Sequence, residues 1–235
     1  MSNHFTLKQA LADTESRHVL GLSGGKDSAA LAIHIKDNYP TLHEKIEYFF
    51  SDTGAELPEV YDFLQILESY LGKEITRIGS DRPFEHWLKV KNNYLPSVQR
   101  RWCTVSMKLE PFERYVGTNP VISYIGIRAD EHRDGYVSSK KNIKAVFPFK
   151  EDDLVREDIY QMLRDTVGVP KYYEWRSRSG CYFCFFQRQD EWLGLKRNHH
   201  ELFEKAKGIE RVSGNGYTWV QGRTLDEVVA HAEKK

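Results

Sequence analysis

Residues 19–35 read VLGLSGGKDSAALAIHI. The apolar run from His18 to Leu22 has the length and composition of a buried strand. Ser23–Ser28 is a glycine-containing turn, and apolar residues at helical spacing follow it. Strand, tight turn and helix N-terminus together make an anion site, because the N–H groups of a helix's first turn lack intrahelical partners and point at the turn. Gly24 and Gly25 let the backbone approach phosphate oxygens closely. Ser23 and Ser28 add hydroxyl donors, and Lys26 adds a full positive charge. The spacing is not that of the phosphate loop GxxxxGK followed by Ser or Thr.

Outward from this stretch, strand and helix signals alternate. Strands are expected over Arg17–Ser23, Ile46–Ser51, Glu74–Gly79, Val121–Arg128 and Lys144–Phe149, the last ended by Pro148. Helices are expected over Lys26–Asn38, Pro58–Leu71, Phe84–Lys91 and Ser106–Tyr115. The alternation predicts an α/β fold, a doubly wound and mostly parallel five-stranded sheet with ligands at the carboxyl ends of its strands. Beyond residue 150 the pattern becomes helical: Asp153–Val167, Gln189–Lys207 and a short helix from Thr224. An Arg- and Ser-rich loop (residues 176–179) leads to GCYFCFF, and glycine-rich turns lie in SGNGYTWVQGR (residues 213–223). Residues 1–150 are read as a nucleotide-binding α/β domain and 151–235 as a helical subdomain carrying the CxxC loop.

Composition narrows the function classes. The chain has 235 residues, 40% hydrophobic and 29% charged, ordinary for a soluble globular protein. Lys plus Arg is 34 and Asp plus Glu is 34, so no global field advertises a nucleic-acid partner. Local basic patches are Arg100–Arg101, Lys140–Lys141 with Lys144, Arg176 with Arg178, and Lys196–Arg197. No apolar run reaches membrane-spanning length and the N-terminus lacks a signal-peptide core, so a cytoplasmic location without membrane attachment is expected. Cys103, Cys181 and Cys184 are too few and odd in number for a disulfide framework, and the CxxC pair suggests metal binding or sulfur chemistry.

Two other segments carry chemistry. FFSDTGAELPEV places Asp52 where the second strand leaves the sheet, positioned to bind Mg²⁺ or orient a nucleotide, or simply to make a turn. GIRADEHRDGY crowds Gly126, Arg128, Glu131 and Arg133 after the fourth strand, either a phosphate clamp or a salt-bridge cluster. The three cysteines leave four readings open. These are three ligands of a 4Fe–4S cluster with one iron free for sulfide, a structural zinc completed by His199 or His200, a persulfide carrier with a resolving thiol, and buried apolar thiols.

SGGKDS resembles the PP-loop of the ATP pyrophosphatases, or adenine nucleotide alpha hydrolases. With DTGAELPE, RWCTVSMK, GIRADEHR and GCYFC in that order, the chain resembles the phosphoadenosine phosphosulfate reductase-like branch of that superfamily. The resemblance implies that Ser23, Gly24, Gly25, Lys26, Asp27 and Ser28 contact nucleotide phosphates, with Asp52 near the nucleotide and Arg128 helping to hold it. His132 stands where many relatives have Ser, and no role is carried onto it. The reductases' C-terminal Glu-Cys-Gly-Leu-His is missing from this sequence, which ends HAEKK, as is an adjacent Cys-Cys pair. Among family activities, the resemblance then points to ATP pyrophosphatase and sulfurtransferase chemistry, with ATP and Mg²⁺ as cofactors and Lys26, Asp27 and Asp52 as catalytic residues. The implied setting is DNA backbone phosphorothioation, with a cysteine desulfurase as sulfur donor, DNA as acceptor, and other modification-system subunits or a second copy of the chain, as a homodimer, as partners. tRNA thiolation, sulfonucleotide reduction and a nucleotide-binding regulatory subunit are the alternatives.

Overall fold

The structure, a computed structural model, describes residues 5–133, 140–178, 180–213 and 216–234. The N-terminal MSNH, the Asp134–Tyr136 end of the turn after the fourth strand, Ser179 and the Gly214–Asn215 part of the glycine-rich tail lie outside them. In chain order the elements are α1 (Leu7–Ala12), β1 (Arg17–Gly21), α2 (Lys26–Asn38), α3 (Pro40–Lys45), β2 (Ile46–Asp52), α4 (Pro58–Leu71) and β3 (Ile75–Gly79). There follow α5 (Phe84–Val90), α6 (Trp102–Thr104), a π turn (Val105–Leu109), α7 (Glu110–Val116), β4 (Val121–Tyr124), β5 (Ile143–Val146) and α8 (Pro148–Glu151). The chain ends with α9 (Arg156–Asp165), a 3₁₀ turn (Lys171–Glu174), α10 (Gln189–Asn198), α11 (His200–Ser213) and α12 (Leu225–Ala232).

The strands form the five-stranded parallel sheet expected of a doubly wound α/β fold, in the order β3-β2-β1-β4-β5. The chain winds outward one way from β1 through β2 to β3, then returns to the other side of β1 for β4. Connections leaving the carboxyl ends of β1 and β4 therefore run in opposite directions and open a crevice between them, the position where such sheets bind ligands.

Two compact units emerge, each assembled from separate stretches of chain. One comprises residues 1–51, 59–78 and 113–170, and the other 52–58, 79–112 and 171–235. In the first unit, Ala29, Ala30, Leu31, Ala32, Ile33 and Ile35 of α2 are all fully buried, so α2 is enclosed rather than amphipathic. α9 contributes Ile159 and Leu163 to the same core. His18 is buried on β1, where its Nδ1 lies 2.7 Å from the Tyr124 hydroxyl of β4, and burial lowers its pKa.

The second unit is built on aromatic rings. Phe183 packs 4.3 Å from Phe84 and stacks on Trp219 at 5.3 Å, with Trp102 against the other ring of the pair. Glu191 is fully buried in α10, where it accepts from the Ser177 N–H and hydroxyl and from the Arg188 N–H. Glu210 ties α11 to two backbone N–H groups, Trp219 and Leu225. Among the described residues no helix is long and apolar enough to cross a membrane.

Several boundaries differ from the sequence reading. β4 stops at Tyr124 because the chain tightens there, the Ile127 N–H donating back to the Ile125 carbonyl. β5 stops at Val146, and Pro148 opens a short helix instead of merely ending a strand, a role its fixed φ suits. The helix expected over Gln189–Lys207 breaks at His199 (φ −141°, ψ 66°) with no Gly or Pro to mark it. The helix expected from Ser106 starts earlier and contains the π turn.

Candidate functional site

The turn after β1 is shaped by two glycines. Gly24 has φ +69°, a conformation open to Gly at little cost. A Cβ there would also lie 2.5 Å from Val60 Cγ1 of α4. Gly24→Ala is therefore expected to lower stability by about 2–4 kcal/mol, from left-handed strain and overpacking together. Urea denaturation checks it, and an unchanged midpoint would remove this account. Gly25 is the N-cap of α2 and supplies no side-chain cap. Instead the serines close the turn: the Ser23 N–H donates to Ser28 Oγ at 3.1 Å and the Gly25 N–H to Ser23 Oγ at 3.3 Å. An anion seated here would meet these hydroxyls together with the N-terminus of a 13-residue helix.

The second wall of the crevice comes from β4. Gly126 lies so close to the turn that a Cβ would stand 2.9 Å from the Asp27 carbonyl oxygen. Its part is this close backbone approach. Arg128 then reaches Asp27, Nη1 to Oδ1 at 2.8 Å, while Lys26 Nζ holds the other carboxylate oxygen at 2.6 Å. Asp130 and Glu131 also pair with Arg128, each at 2.8 Å, and Arg133 pairs with Glu131. Burial opposes the charge on Arg128, but its bonds to Asp130 and Asp27 outweigh it and raise its pKa. The same guanidinium holds the Asp130 carboxyl below its ordinary value. Lys26 is buried beneath this network, its ammonium 5.8 Å from the Tyr160 ring centre. Asp27 thus orients two cations, one on each of its oxygens.

Asp52 ends β2, and its Oδ1 accepts the Gly54 N–H at 2.8 Å, an Asx turn. The following residues have a further part in the second unit. Glu56 bridges antiparallel to Cys181, flanked by Leu57 N–H to Gly180 O and Tyr182 N–H to Ala55 O. The DTGAELP segment therefore anchors the CxxC loop.

Cys103, Cys181 and Cys184 all line one cavity of about 160 Å³, with Lys108, Phe185 and Arg178 among its walls. All three are free thiols. Among the described residues no group of three or more His, Cys, Asp or Glu is already disposed to hold an ion.

Burial favours the neutral form of Cys103 and Cys181. Burial pushes the Cys103 thiol up to about 11. It pushes Cys181 well above its ordinary value, with Glu56 adding to the effect and Lys108 opposing it. Lys108 sits 3.8 Å from buried Glu56, and although burial works against its charge, Glu56 and the three sulfurs raise its pKa. Arg176 is buried, so the basic patch expected at Arg176 and Arg178 reduces to exposed Arg178. The Arg176 Nη2 donates to the Cys181 carbonyl at 2.6 Å, while its Nε and Nη1 have no hydrogen-bond partner among the described residues. Exposed Arg101 and Arg178 both stack on Phe186, at 5.0 and 4.5 Å. Glu56, Lys108 and Arg176 were not singled out as site residues from sequence. The first Glu of DTGAELPE and the Lys of RWCTVSMK stand in the sequence only as members of their motifs.

Residues 17–174 match the phosphoadenosine phosphosulfate reductase domain. The uncharacterized protein MJ0066 of Methanocaldococcus jannaschii is 30% identical over 208 residues, 82% of this chain, and the chain spans 41% of its length. The uncharacterized nin region protein ORF290 of Escherichia phage lambda is 25% identical over 226 residues, 83% of this chain and 72% of that protein. The crystal structure of phosphoadenylyl-sulfate reductase from Candida auris superposes with a TM-score of 0.57 at 14% identity, covering 78% of this chain and 90% of that one. The parallel sheet, the glycine turn at its crevice and this domain match agree: the chain belongs to the phosphoadenosine phosphosulfate reductase domain family.

Proposed function

We propose that the protein splits ATP between its α and β phosphates at the Ser23–Ser28 turn, adenylylating an acceptor, and that its cysteines carry the sulfur that replaces the activated oxygen. The observation that carries the first step is the pairing of a glycine turn, at the N-terminus of an enclosed helix, with Lys26 and Arg128 held in place by Asp27. An acceptor oxygen attacks the α phosphorus, the α–β P–O bond breaks, and pyrophosphate leaves. Charge growing on pyrophosphate is met by the turn's donors and by Lys26, groups fixed before reaction. Three carboxylates surround Arg128 and one of them also holds Lys26, and a Mg²⁺ ion carried by the nucleotide would supply further positive charge to its phosphates. Such an ion keeps several waters and needs few protein ligands.

Sulfur follows from the thiol cavity. A persulfide on one cysteine attacks the adenylylated centre through its terminal sulfur, and AMP leaves. A second thiolate then attacks the cysteine's own sulfur, forming a Cys–Cys disulfide and leaving sulfur on the acceptor; an external thiol restores the pair. Lys108, whose charge Glu56 and the three sulfurs favour, offsets the burial that opposes a thiolate at Cys181. In the finer reading the acceptor is a DNA backbone oxygen and the donor a cysteine desulfurase. A second reading, reduction of an activated sulfate, is favoured by the family's name.

The test is product analysis. Protein prepared without oxygen and incubated with ATP and acceptor DNA is expected to release AMP and pyrophosphate; ADP as sole product would end the proposal. Sulfite released from phosphoadenosine phosphosulfate would install the second reading.

A further inference from the structure

We infer that Arg100, Arg101 and Arg178, at the rim of the thiol cavity, grip a nucleic-acid strand by its backbone phosphates, an assignment that rests on the acceptor being the backbone oxygen proposed above. Phe186 and Arg178 line the cavity beside Cys103, Cys181 and Cys184. Arg178 lies over the Phe186 ring, its guanidinium carbon 4.5 Å from the ring centre, and Arg101 lies over the same ring at 5.0 Å. Arg100 lies over Tyr94 at 4.7 Å. All three arginines are exposed.

Two features point to an anion here. First, none of these three guanidiniums has a carboxylate partner among the described residues, whereas Arg17, Arg128, Arg133, Arg164 and Arg188 each have one. Second, Arg101 and Arg178 bring like charges to one ring, a repulsion that a bound anion relieves. A guanidinium over a ring keeps its edge N–H groups free. Of these three side chains only Arg101 hydrogen-bonds to protein among the described residues, its Nε donating to the Val98 carbonyl at 3.2 Å. Such edges match phosphate oxygens two at a time. The cations are spread over two rings, so repeated phosphates along a chain meet them together where a lone phosphate does not. Phosphate contacts position a strand without reading its sequence, and that suffices to bring a backbone phosphorus to the sulfurs.

Fluorescent DNA of mixed sequence, single-stranded and duplex, is titrated into the full chain without ATP at a series of salt concentrations. Three phosphate contacts predict that log K falls against log salt with a slope of about −2 for the strand and about −3 for the duplex. The form bound more tightly is the form the acceptor takes. Arg101→Gln and Arg178→Gln should each remove about 0.7–0.9 of that slope and weaken binding about 5- to 8-fold at 0.1 M salt. Arg101→Lys and Arg178→Lys keep the charge and should hold the slope. Arg164→Gln, which removes a charge paired with Glu157 elsewhere, should leave binding unchanged. No binding of either DNA, a slope unchanged in both glutamine variants, a slope lost equally in the lysine variants, or an equal loss in Arg164→Gln overturns the inference. So does decaglutamate binding as tightly as DNA, which makes the rim a dock for an acidic protein. Parental binding by the arginine variants, with AMP still released, strikes the grip alone. ADP as sole product, with the slopes as expected, strikes the reaction alone.

Discussion

Lys26→Ala is expected to slow release of AMP and pyrophosphate by about 10²–10³-fold, the usual loss when one preorganised donor to a developing charge is removed. Lys26 qualifies because it is buried and its ammonium is fixed 2.6 Å from Asp27. It does not have to be ordered at the moment of reaction. Loss of the lysine leaves Asp27 still bonded to Arg128 at 2.8 Å, so the carboxylate is not stranded and the fold should survive. The rate is read from chromatographic separation of nucleotides labelled at the α phosphorus, with urea denaturation alongside. If the variant cleaves at the parental rate, the turn is not where the leaving group sits.

Cys181→Ser should reduce sulfur incorporation by about 10⁴-fold or more, the scale on which nucleophile deletions act, yet leave AMP production near its parental rate. Serine preserves the volume and the backbone bonds that place this residue between Glu56 and Arg176. What it removes is the sulfur. Cys103→Ser and Cys184→Ser should behave alike, and the triple variant should be no worse than the worst single one, because residues acting as a unit are not additive. Transfer of ³⁵S from a persulfide donor measures the first quantity, and AMP release the second. Parental sulfur incorporation by Cys181→Ser would remove this thiol from the mechanism.

The first unit was largely written in local signals. An apolar run, two glycines and a following helical pattern place the start of β1, the turn and α2 at the observed residues, with β1 ending at Gly21 rather than Ser23, because each choice is made within a few positions. Lys26–Asn38 and Pro58–Leu71 match the structure end to end. The strands were overextended where tertiary contact intervenes, as at Ile125–Gly126, where the chain must fold down against Asp27. The second unit was less legible. Its elements come from three separate stretches, and Glu56, Lys108 and Arg176 acquire meaning only when those stretches meet. A lysine in RWCTVSMK carries no sign that a glutamate about fifty positions earlier awaits it. Arg176 even misled, since a run of Arg and Ser normally signals solvent and this guanidinium is buried.

The wide turn at Val105–Leu109 bears on how the lysine came to serve the thiols. Such turns arise when one residue is added to an ordinary helix, and each helical residue carries its side chain about 100° around the axis. Without that addition, the positions after Cys103 would wind in a different phase, and the ammonium now near Glu56 would swing toward another quarter of the helix. A one-codon change in length, rather than any change of side chain, is therefore enough to give or withhold the counter-ion of the sulfur chamber.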